Sequence, residues 1–129
     1  MYKVLVVDDS QIIVERIFQI LGELDCITFI GKATSFSEAV SLLNEEKFNV
    51  VLLDINLPGK NGIELLSYIK ANYPHIKNIM LTNQSDDYYR NLCQNLGSDS
   101  FIDKTSEFEN ISHTIRKYYN ESFTPNGIQ

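Results

Sequence analysis

The stretch Val4-Leu-Val-Val-Asp-Asp-Ser10, near the start of the chain, decides the fold class. Its apolar residues, together with Lys3, predict a strand at Lys3–Val7. An unbroken aliphatic run of this kind is typical of a strand buried on both faces of a parallel sheet. A second such run, Val50–Leu53, also leads directly into an acid, Asp54. Both strands therefore carry a carboxylate at their carboxyl ends.

Strand-like and helix-like patterns alternate along the chain. Further strands are predicted at Cys26–Ile30, Asn78–Leu81 and Ser100–Ile102. Between the strands, apolar residues recur every three or four positions, which predicts five amphipathic helices. The residues that form these apolar stripes are Ile13, Ile17, Ile20 and Leu24; Phe36, Ala39, Val40 and Leu43; Ile63, Leu66 and Ile69; Tyr89, Leu92, Cys93 and Leu96; and Ile111, Ile115 and Tyr118. The alternation predicts an α/β fold, a doubly wound five-stranded parallel sheet with right-handed crossovers.

Local signals predict where several helices begin and end. The stretches Ser35–Glu38 and Ser106–Glu109 both have the Ser-x-x-Glu pattern of a capping box, which predicts helix starts there. Pro74 predicts the end of the third helix, because proline removes a backbone donor and restrains the preceding residue. Gly97 predicts the end of the fourth helix.

Length and composition indicate one domain. The chain has 129 residues, of which 1–120 are predicted to form the domain and the polar residues 121–129 a flexible tail. A net charge of −6 argues against nucleic-acid or anionic-membrane binding, which need a basic face. No apolar run approaches the ~20 residues of a membrane span. Cys26 and Cys93 fit no metal or redox spacing, so a cytoplasmic protein with reduced thiols is expected.

Polar side chains follow four of the five strands. Asp8 and Asp9 follow the first strand, Asp54 the third, Thr82 the fourth and Lys104 the fifth. Because the carboxyl ends of parallel strands meet at one edge of the sheet, we expect these side chains to lie close together. Each residue alone has an ordinary explanation, such as helix capping or a solvated charge. Their combination at one edge favours a site.

The residue types indicate phosphoryl-transfer chemistry. Three neighbouring carboxylates repel one another unless a cation is present, and Mg²⁺ binds carboxylate oxygens, water and phosphate oxygens. A lysine and a hydroxyl group can contact a phosphoryl group, and a carboxylate can act as its nucleophile. Phosphoryl transfer depends mainly on positioning and charge neutralisation, both of which this set supplies.

Four motifs resemble the receiver domain of bacterial two-component response regulators. They are VLVVDDS (Val4–Ser10), VVLLDINLPGKNGIELL (Val50–Leu66), MLTN (Met80–Asn83) and FIDK (Phe101–Lys104). The resemblance covers about residues 2–119 and points to a stand-alone, CheY-like receiver. It implies a flavodoxin-like (βα)5 fold with the strand order 2-1-3-4-5.

The resemblance also implies a phosphoacceptor and a set of metal ligands. Asp54 matches the aspartate that is phosphorylated in the family. Asp8, Asp9 and Asp54 match the ligands of Mg²⁺, for which Mn²⁺ can substitute, and the backbone carbonyl of Asn56 matches a further ligand. A protein of this kind is not a conventional enzyme, although it catalyses its own phosphorylation and dephosphorylation.

Three further residues match family positions that contact the phosphoryl group or form the switch. Thr82 and Lys104 are implied to contact the phosphoryl group, and Thr82 with Phe101 to form the switch.

A histidine kinase or a histidine phosphotransfer protein is the implied donor, and an apolar pair on the first helix, Val14 and Phe18, is expected to be exposed for its docking. Phosphorylation is implied to shift the population of states at the face made by the fourth helix, fifth strand and fifth helix. That face would signal to a protein target or form a homodimer, with no direct nucleic-acid contact and no membrane insertion.

Three residues depart from the family pattern, and one of them is Phe101, which lacks the hydroxyl group of a tyrosine at the switch position. Thr105 stands where the family usually has a proline after the lysine, so we expect a trans bond there, because a cis bond before a non-proline residue costs ~3 kcal/mol. Asn83 stands where the residue after the threonine is usually small. Its larger side chain is expected to narrow access to Asp54 and to slow phosphorylation by small donors such as acetyl phosphate.

Alternative functions remain open from the sequence. The chain could be the receiver half of a longer DNA-binding transcriptional regulator. A phosphatase of the haloacid dehalogenase type would use similar residues, but it needs Asp-x-Asp after the first strand, and position 10 is Ser. A flavodoxin-like electron carrier would need a phosphate loop there, and Asp8 and Asp9 would repel a bare phosphate.

Overall fold

A five-stranded parallel sheet forms the centre of the protein in a computed structural model, which describes residues 2–57, 59–83 and 87–123, apart from the Phe123 side chain. Its strands are β1 (Tyr2–Val7), β2 (Ile27–Ala33), β3 (Val50–Asp54), β4 (Lys77–Thr82) and β5 (Ser100–Asp103). The order across the sheet is β2-β1-β3-β4-β5, with every pair parallel. The predicted strand order 2-1-3-4-5 is confirmed.

Five helices cover the two faces of the sheet. They are α1 (Gln11–Gly22), α2 (Phe36–Glu45), α3 (Gly62–Asn72), α4 (Asp87–Asn95) and α5 (Asn110–Phe123). Side chains of α1 and α5 pack with Val4 and Val6 on one face, whereas those of α2, α3 and α4 pack with Leu5 and Val7 on the other. This two-sided burial explains the unbroken apolar run of β1 and confirms the doubly wound α/β fold. None of the helices in the described ranges has the length and apolar character to cross a membrane.

Polar residues cap α2 and α3. The Ser35 hydroxyl accepts a hydrogen bond from the Glu38 backbone N–H at 3.2 Å, as predicted, but the Glu38 carboxylate accepts from the backbone N–H of Thr34 at 2.7 Å. A complete capping box lies instead at the start of α3, where Asn61 and Glu64 accept from each other's backbone N–H groups. Asparagine at this position starts α3 directly after the loop that follows β3.

Helix α5 differs from the sequence prediction at both ends. It begins at Asn110, so the predicted capping box at Ser106–Glu109 is wrong. The Asp103 carboxylate accepts from the backbone N–H of Ser106 at 3.3 Å, which holds that residue in a turn before the helix. Residues 121–123, assigned from the sequence to a tail, are helical, and none of them is a glycine or proline that would end a helix. The rest of the predicted tail, 124–129, lies outside the described residues.

The buried stripe of α1 is displaced from the prediction. Val14, Ile17 and Leu21 are buried, while Ile13 and Ile20 are half-buried. The prediction that Val14 is exposed is therefore wrong, and its proposed partner Phe18 is half-buried. Two overlapping stripes on α1 satisfy the helical period, and the position of α1 between the sheet and α5 decides which of them is covered.

The predicted ends of α3 and α4 are confirmed. Helix α3 ends at Asn72, two residues before Pro74. Helix α4 ends at Asn95, and Gly97 has a φ of 101°, a left-handed conformation that glycine adopts without steric cost. The Ser98 N–H donates to the Cys93 carbonyl at 3.0 Å, which completes this C-terminal cap.

Candidate functional site

Four polar residues converge at the carboxyl edge of the sheet. Asp8 follows β1, Asp54 ends β3, Thr82 ends β4 and Lys104 follows β5. All four are buried, with exposed fractions between 0% and 6%. The Lys104 backbone N–H donates to the Thr82 carbonyl at 2.9 Å, which extends the β4–β5 ladder into the site. These residues lie at one edge, as predicted, because their strands are parallel and each residue ends or follows one of them.

Lys104 bridges two of the buried carboxylates. Its Nζ lies 2.6 Å from Oδ2 of Asp8 and 3.2 Å from Oδ1 of Asp54. Their side chains are 4%, 1% and 7% exposed, respectively, so water screens these charges poorly. The two ion pairs of Lys104 thus link the carboxyl ends of β1, β3 and β5.

Three carboxylates share this small space. Single oxygen atoms of Asp8, Asp9 and Asp54 all lie within 4.8 Å of one another. Asp9 is exposed, whereas the other two acids are buried. One lysine compensates only part of the charge of three acids, so the site retains an excess of negative charge. The donor set of carboxylate oxygens fits a hard divalent cation.

Burial raises the pKa of Asp54 above its ordinary value of 3.8. The positive charge of Lys104 opposes this rise, the negative charge of Asp8 adds to it, and the Asn56 backbone N–H, which donates to Oδ1 of Asp54 at 3.2 Å, opposes it. Because burial dominates, Asp54 binds a proton more readily than an exposed aspartate does. A cation at the three acids would favour its ionised form.

Gly62 supports the backbone of Asp54 from the start of α3. Its N–H donates to the Ile55 carbonyl at 2.8 Å. A Cβ atom added at Gly62 would lie 1.9 Å from the Asp54 carbonyl oxygen, far inside van der Waals contact. Only glycine allows α3 to pack this closely on β3. The signal in the sequence is a glycine directly after a capping residue, which does not reveal the contact by itself.

The turn after β5 has Thr105 where the family usually has a proline. No cis peptide bond occurs in residues 2–57, 59–83 and 87–123, so the predicted trans bond before Thr105 is confirmed. One oxygen of Asp103 accepts from the Thr105 backbone N–H at 2.7 Å and from its hydroxyl at 2.6 Å. These bonds stabilise the turn that carries Lys104. Phe101, the predicted switch residue, is half-buried against the α2–α4 side of the sheet.

Residues 4–116 match the family described as the response regulator receiver domain. The response regulator protein VraR of Staphylococcus saprophyticus is 34% identical over 120 residues, 92% of this chain and 56% of the relative. The transcriptional regulatory protein MalR of Bacillus subtilis is 30% identical over 118 residues, 92% of this chain and 50% of the relative. The chain spans about half the length of the curated relatives it matches.

Solved structures show the same fold. A CheY-like response regulator receiver domain protein from Methanospirillum hungatei superposes with a TM-score of 0.84 at 28% identity, covering 94% of this chain and 95% of that one. The isolated receiver domain of RcsB from Salmonella enterica, solved with the phosphomimetic beryllofluoride, gives a TM-score of 0.87 at 20% identity. The match covers 92% of this chain and 88% of that structure.

Proposed function

This chain belongs to the response regulator receiver domain family of two-component systems, and we propose that it accepts a phosphoryl group on the side chain of Asp54. The observation that carries the proposal is the placement of Asp54 at the end of β3. There its carboxylate lies 3.2 Å from the Lys104 ammonium and beside the acids Asp8 and Asp9. One nucleophile, one cation and a cluster of metal-binding oxygens then share one edge of the sheet.

The side chains of the site have distinct parts in the transfer. An oxygen of Asp54 attacks phosphorus in a phosphohistidine of a histidine kinase or phosphotransfer protein. The P–N bond breaks, and its electron pair stays on the departing imidazole. Lys104 pairs with a phosphoryl oxygen, and the Thr82 hydroxyl donates a hydrogen bond to another. The same residues, with water as the nucleophile, would support dephosphorylation.

The acidic cluster fits the Mg²⁺ that receiver domains generally bind. We propose that Asp8, Asp9, Asp54 and the backbone carbonyl of Asn56 would hold this ion, or Mn²⁺ in its place. When bound, the ion would neutralise the acids and draw charge from the phosphoryl oxygens. Asp54 would then stay ionised despite its burial.

Millimolar Mg²⁺ is expected to raise the melting temperature of the protein. At tenfold above its dissociation constant, an ion that binds only the folded state adds ~1.4 kcal/mol, which corresponds to ~5 °C for a domain of this size. The shift should shrink as the pH falls through the raised pKa of Asp54, because a proton then competes with the ion. Differential scanning fluorimetry at constant ionic strength measures both effects.

The exposed Asp9 provides a matched variant for the Mg²⁺ experiment. Asp9→Asn removes one proposed ligand and its repulsion of Asp8 and Asp54, so it should leave the metal-free melting temperature unchanged or slightly raised and should reduce the Mg²⁺ shift. An equal shift in wild type and Asp9→Asn would contradict the ligand assignment.

Asn83→Ala is expected to speed phosphorylation by acetyl phosphate severalfold. Asn83 is exposed and directly follows Thr82, and we expect its side chain to restrict the approach of a small donor to Asp54. Initial rates of phosphorylation, followed on Phos-tag gels, test this expectation. Asn95→Ala, at an exposed asparagine that ends α4, is the control and should react at the wild-type rate. An equal rate for Asn83→Ala would contradict the access argument.

We further propose that phosphorylation is signalled through the face made by α4, β5 and α5 in the cytoplasm. Tyr88 on α4 is 68% exposed and offers a large side chain for contacts on this helix. The partner is a downstream target protein or a second copy of this chain. Pull-down by the beryllofluoride-bound protein, with Tyr88→Ala as the comparison, tests whether the exposed surface of α4 takes part, and capture that is equal with and without beryllofluoride would contradict the proposal.

A DNA-binding regulator that contains this receiver is the second candidate. VraR and MalR support it, since both are about twice the length matched here and MalR is a transcriptional regulatory protein. The gene sequence beyond the codon for Gln129 distinguishes the two: an open reading frame encoding a DNA-binding segment supports this candidate, and a stop codon supports the stand-alone receiver. Membership of the receiver family argues against the haloacid dehalogenase alternative.

A further inference from the structure

Arg90 on α4 contacts both β5 and the segment between β5 and α5. We propose that Arg90 is a clamp that holds this segment in the arrangement in which Lys104 pairs with Asp8 and Asp54, and thereby lowers the affinity of the site for a phosphoryl group. The proposal rests on the function proposed for Asp54. It adds a positioning residue that acts on the site from α4.

One planar guanidinium group makes all the contacts of the clamp. Its Cζ lies 4.6 Å from the centre of the Phe101 ring, a cation–π distance. Its Nη1 lies 3.5 Å from the Phe101 carbonyl oxygen, and its Nη2 lies 3.7 Å from Oε1 of Glu107. Arg90 therefore contacts the side chain and backbone of the predicted switch residue and a carboxylate beyond β5.

Glu107 connects the clamp to the site. The carboxylate oxygen that pairs with Arg90 also accepts a hydrogen bond from the Asp103 backbone N–H at 2.9 Å. The next residue is Lys104, whose own N–H is bonded to the Thr82 carbonyl. The contacts thus run without a gap from Arg90 through Glu107 and Asp103 to Lys104.

The direction of the effect follows from the position of Lys104. Its ammonium lies between Asp8 and Asp54, at 2.6 and 3.2 Å. A phosphoryl group on Asp54 would occupy space beside that ammonium and draw it toward new oxygen atoms. Lys104 would then leave its present position, and the Asp103–Glu107 bond opposes any backbone shift that accompanies this movement. Loss of the clamp should make the shift easier.

The clamp can be removed without burying an unpaired charge. The Arg90 and Glu107 side chains are 40% and 36% exposed, so either residue left alone is solvated. Exposed ion pairs and cation–π contacts are individually weak, so removal of Arg90 should change the affinity about fivefold rather than by orders of magnitude.

Beryllofluoride titration of the full chain in the presence of Mg²⁺ measures the effect, with the probe's binding followed by NMR. Arg90→Ala should bind about fivefold more tightly than wild type. Glu107→Gln, which keeps an acceptor for Asp103 and removes the charge, should shift the affinity in the same direction. The double variant should show less than the product of the two effects. Arg116→Ala, which removes an exposed charge from α5, should match wild type.

Wild-type affinity or weaker binding in Arg90→Ala would overturn the clamp, as would independent effects of the two substitutions. Absence of beryllofluoride binding in wild type would instead refute the function proposed for Asp54. In that case a double-mutant cycle of Arg90→Ala and Glu107→Gln in chemical unfolding still tests the contact. Zero coupling there overturns the clamp independently of phosphorylation.

Discussion

Asp54→Asn is expected to abolish both phosphotransfer from phosphohistidine donors and the binding of beryllofluoride. The amide has nearly the shape of the carboxylate, but its oxygen is a poor nucleophile and cannot bind beryllium as a carboxylate does. The variant should fold at least as well as wild type, because it removes an ionised group that is only 7% exposed. Radiolabelled phosphotransfer and fluorine NMR measure the two losses.

The pKa of Asp54 gives this experiment a second readout. Its folded-state pKa is raised, so the stability that Asp54 contributes is full below its ordinary value of 3.8 and is lost as the pH rises through the folded value. The increase in the free energy of unfolding of Asp54→Asn over metal-free wild type should therefore be largest at neutral pH. Asp25→Asn, at an exposed position, is the matched control and should keep full phosphotransfer. Phosphotransfer to Asp54→Asn at the wild-type level would refute the phosphoacceptor assignment.

Gly62→Ala is expected to lower the free energy of unfolding by about 3 kcal/mol. The added Cβ would lie 1.9 Å from the Asp54 carbonyl oxygen and 2.9 Å from the Ile55 Cα. Both neighbours are backbone atoms, so no side-chain rotation can relieve the clash. Either α3 or the end of β3 has to move, and the second movement would displace Asp54 and weaken beryllofluoride binding. Urea unfolding and beryllofluoride titration measure the two consequences.

Gly22→Ala is the matched control for Gly62→Ala. Gly22 ends α1, and a Cβ added there meets no atom within 4 Å. Alanine is favoured over glycine in helices by up to ~1 kcal/mol, so this variant should be neutral or slightly stabilised. Equal stability of the two variants would contradict the close contact between α3 and β3.

Local sequence patterns predicted the strands of the sheet and the residues at its carboxyl edge, whereas the strand order was predicted from the family resemblance. The aliphatic runs before Asp8 and Asp54 predicted buried parallel strands, because only a strand covered on both faces favours such runs. The positions of Thr82 and Lys104 after later strands followed from the same alternation. Helix boundaries were predicted less well, as the start of α5 shows. Ser106 has the sequence pattern of a helix start, but its backbone N–H donates to the Asp103 carboxylate in a turn that precedes the helix.

What the sequence by itself determined is the order of elements and the residue types gathered at one edge, since periodicity and strand direction are local properties. Only the tertiary structure decided how those residues meet. The Lys104 bridge to Asp8 spans 96 positions, the Gly62 contact depends on how closely α3 packs on β3, and Arg90 reaches Glu107 from another element. Distances between elements far apart in the chain set these contacts, and burial at their meeting point raises the pKa of Asp54.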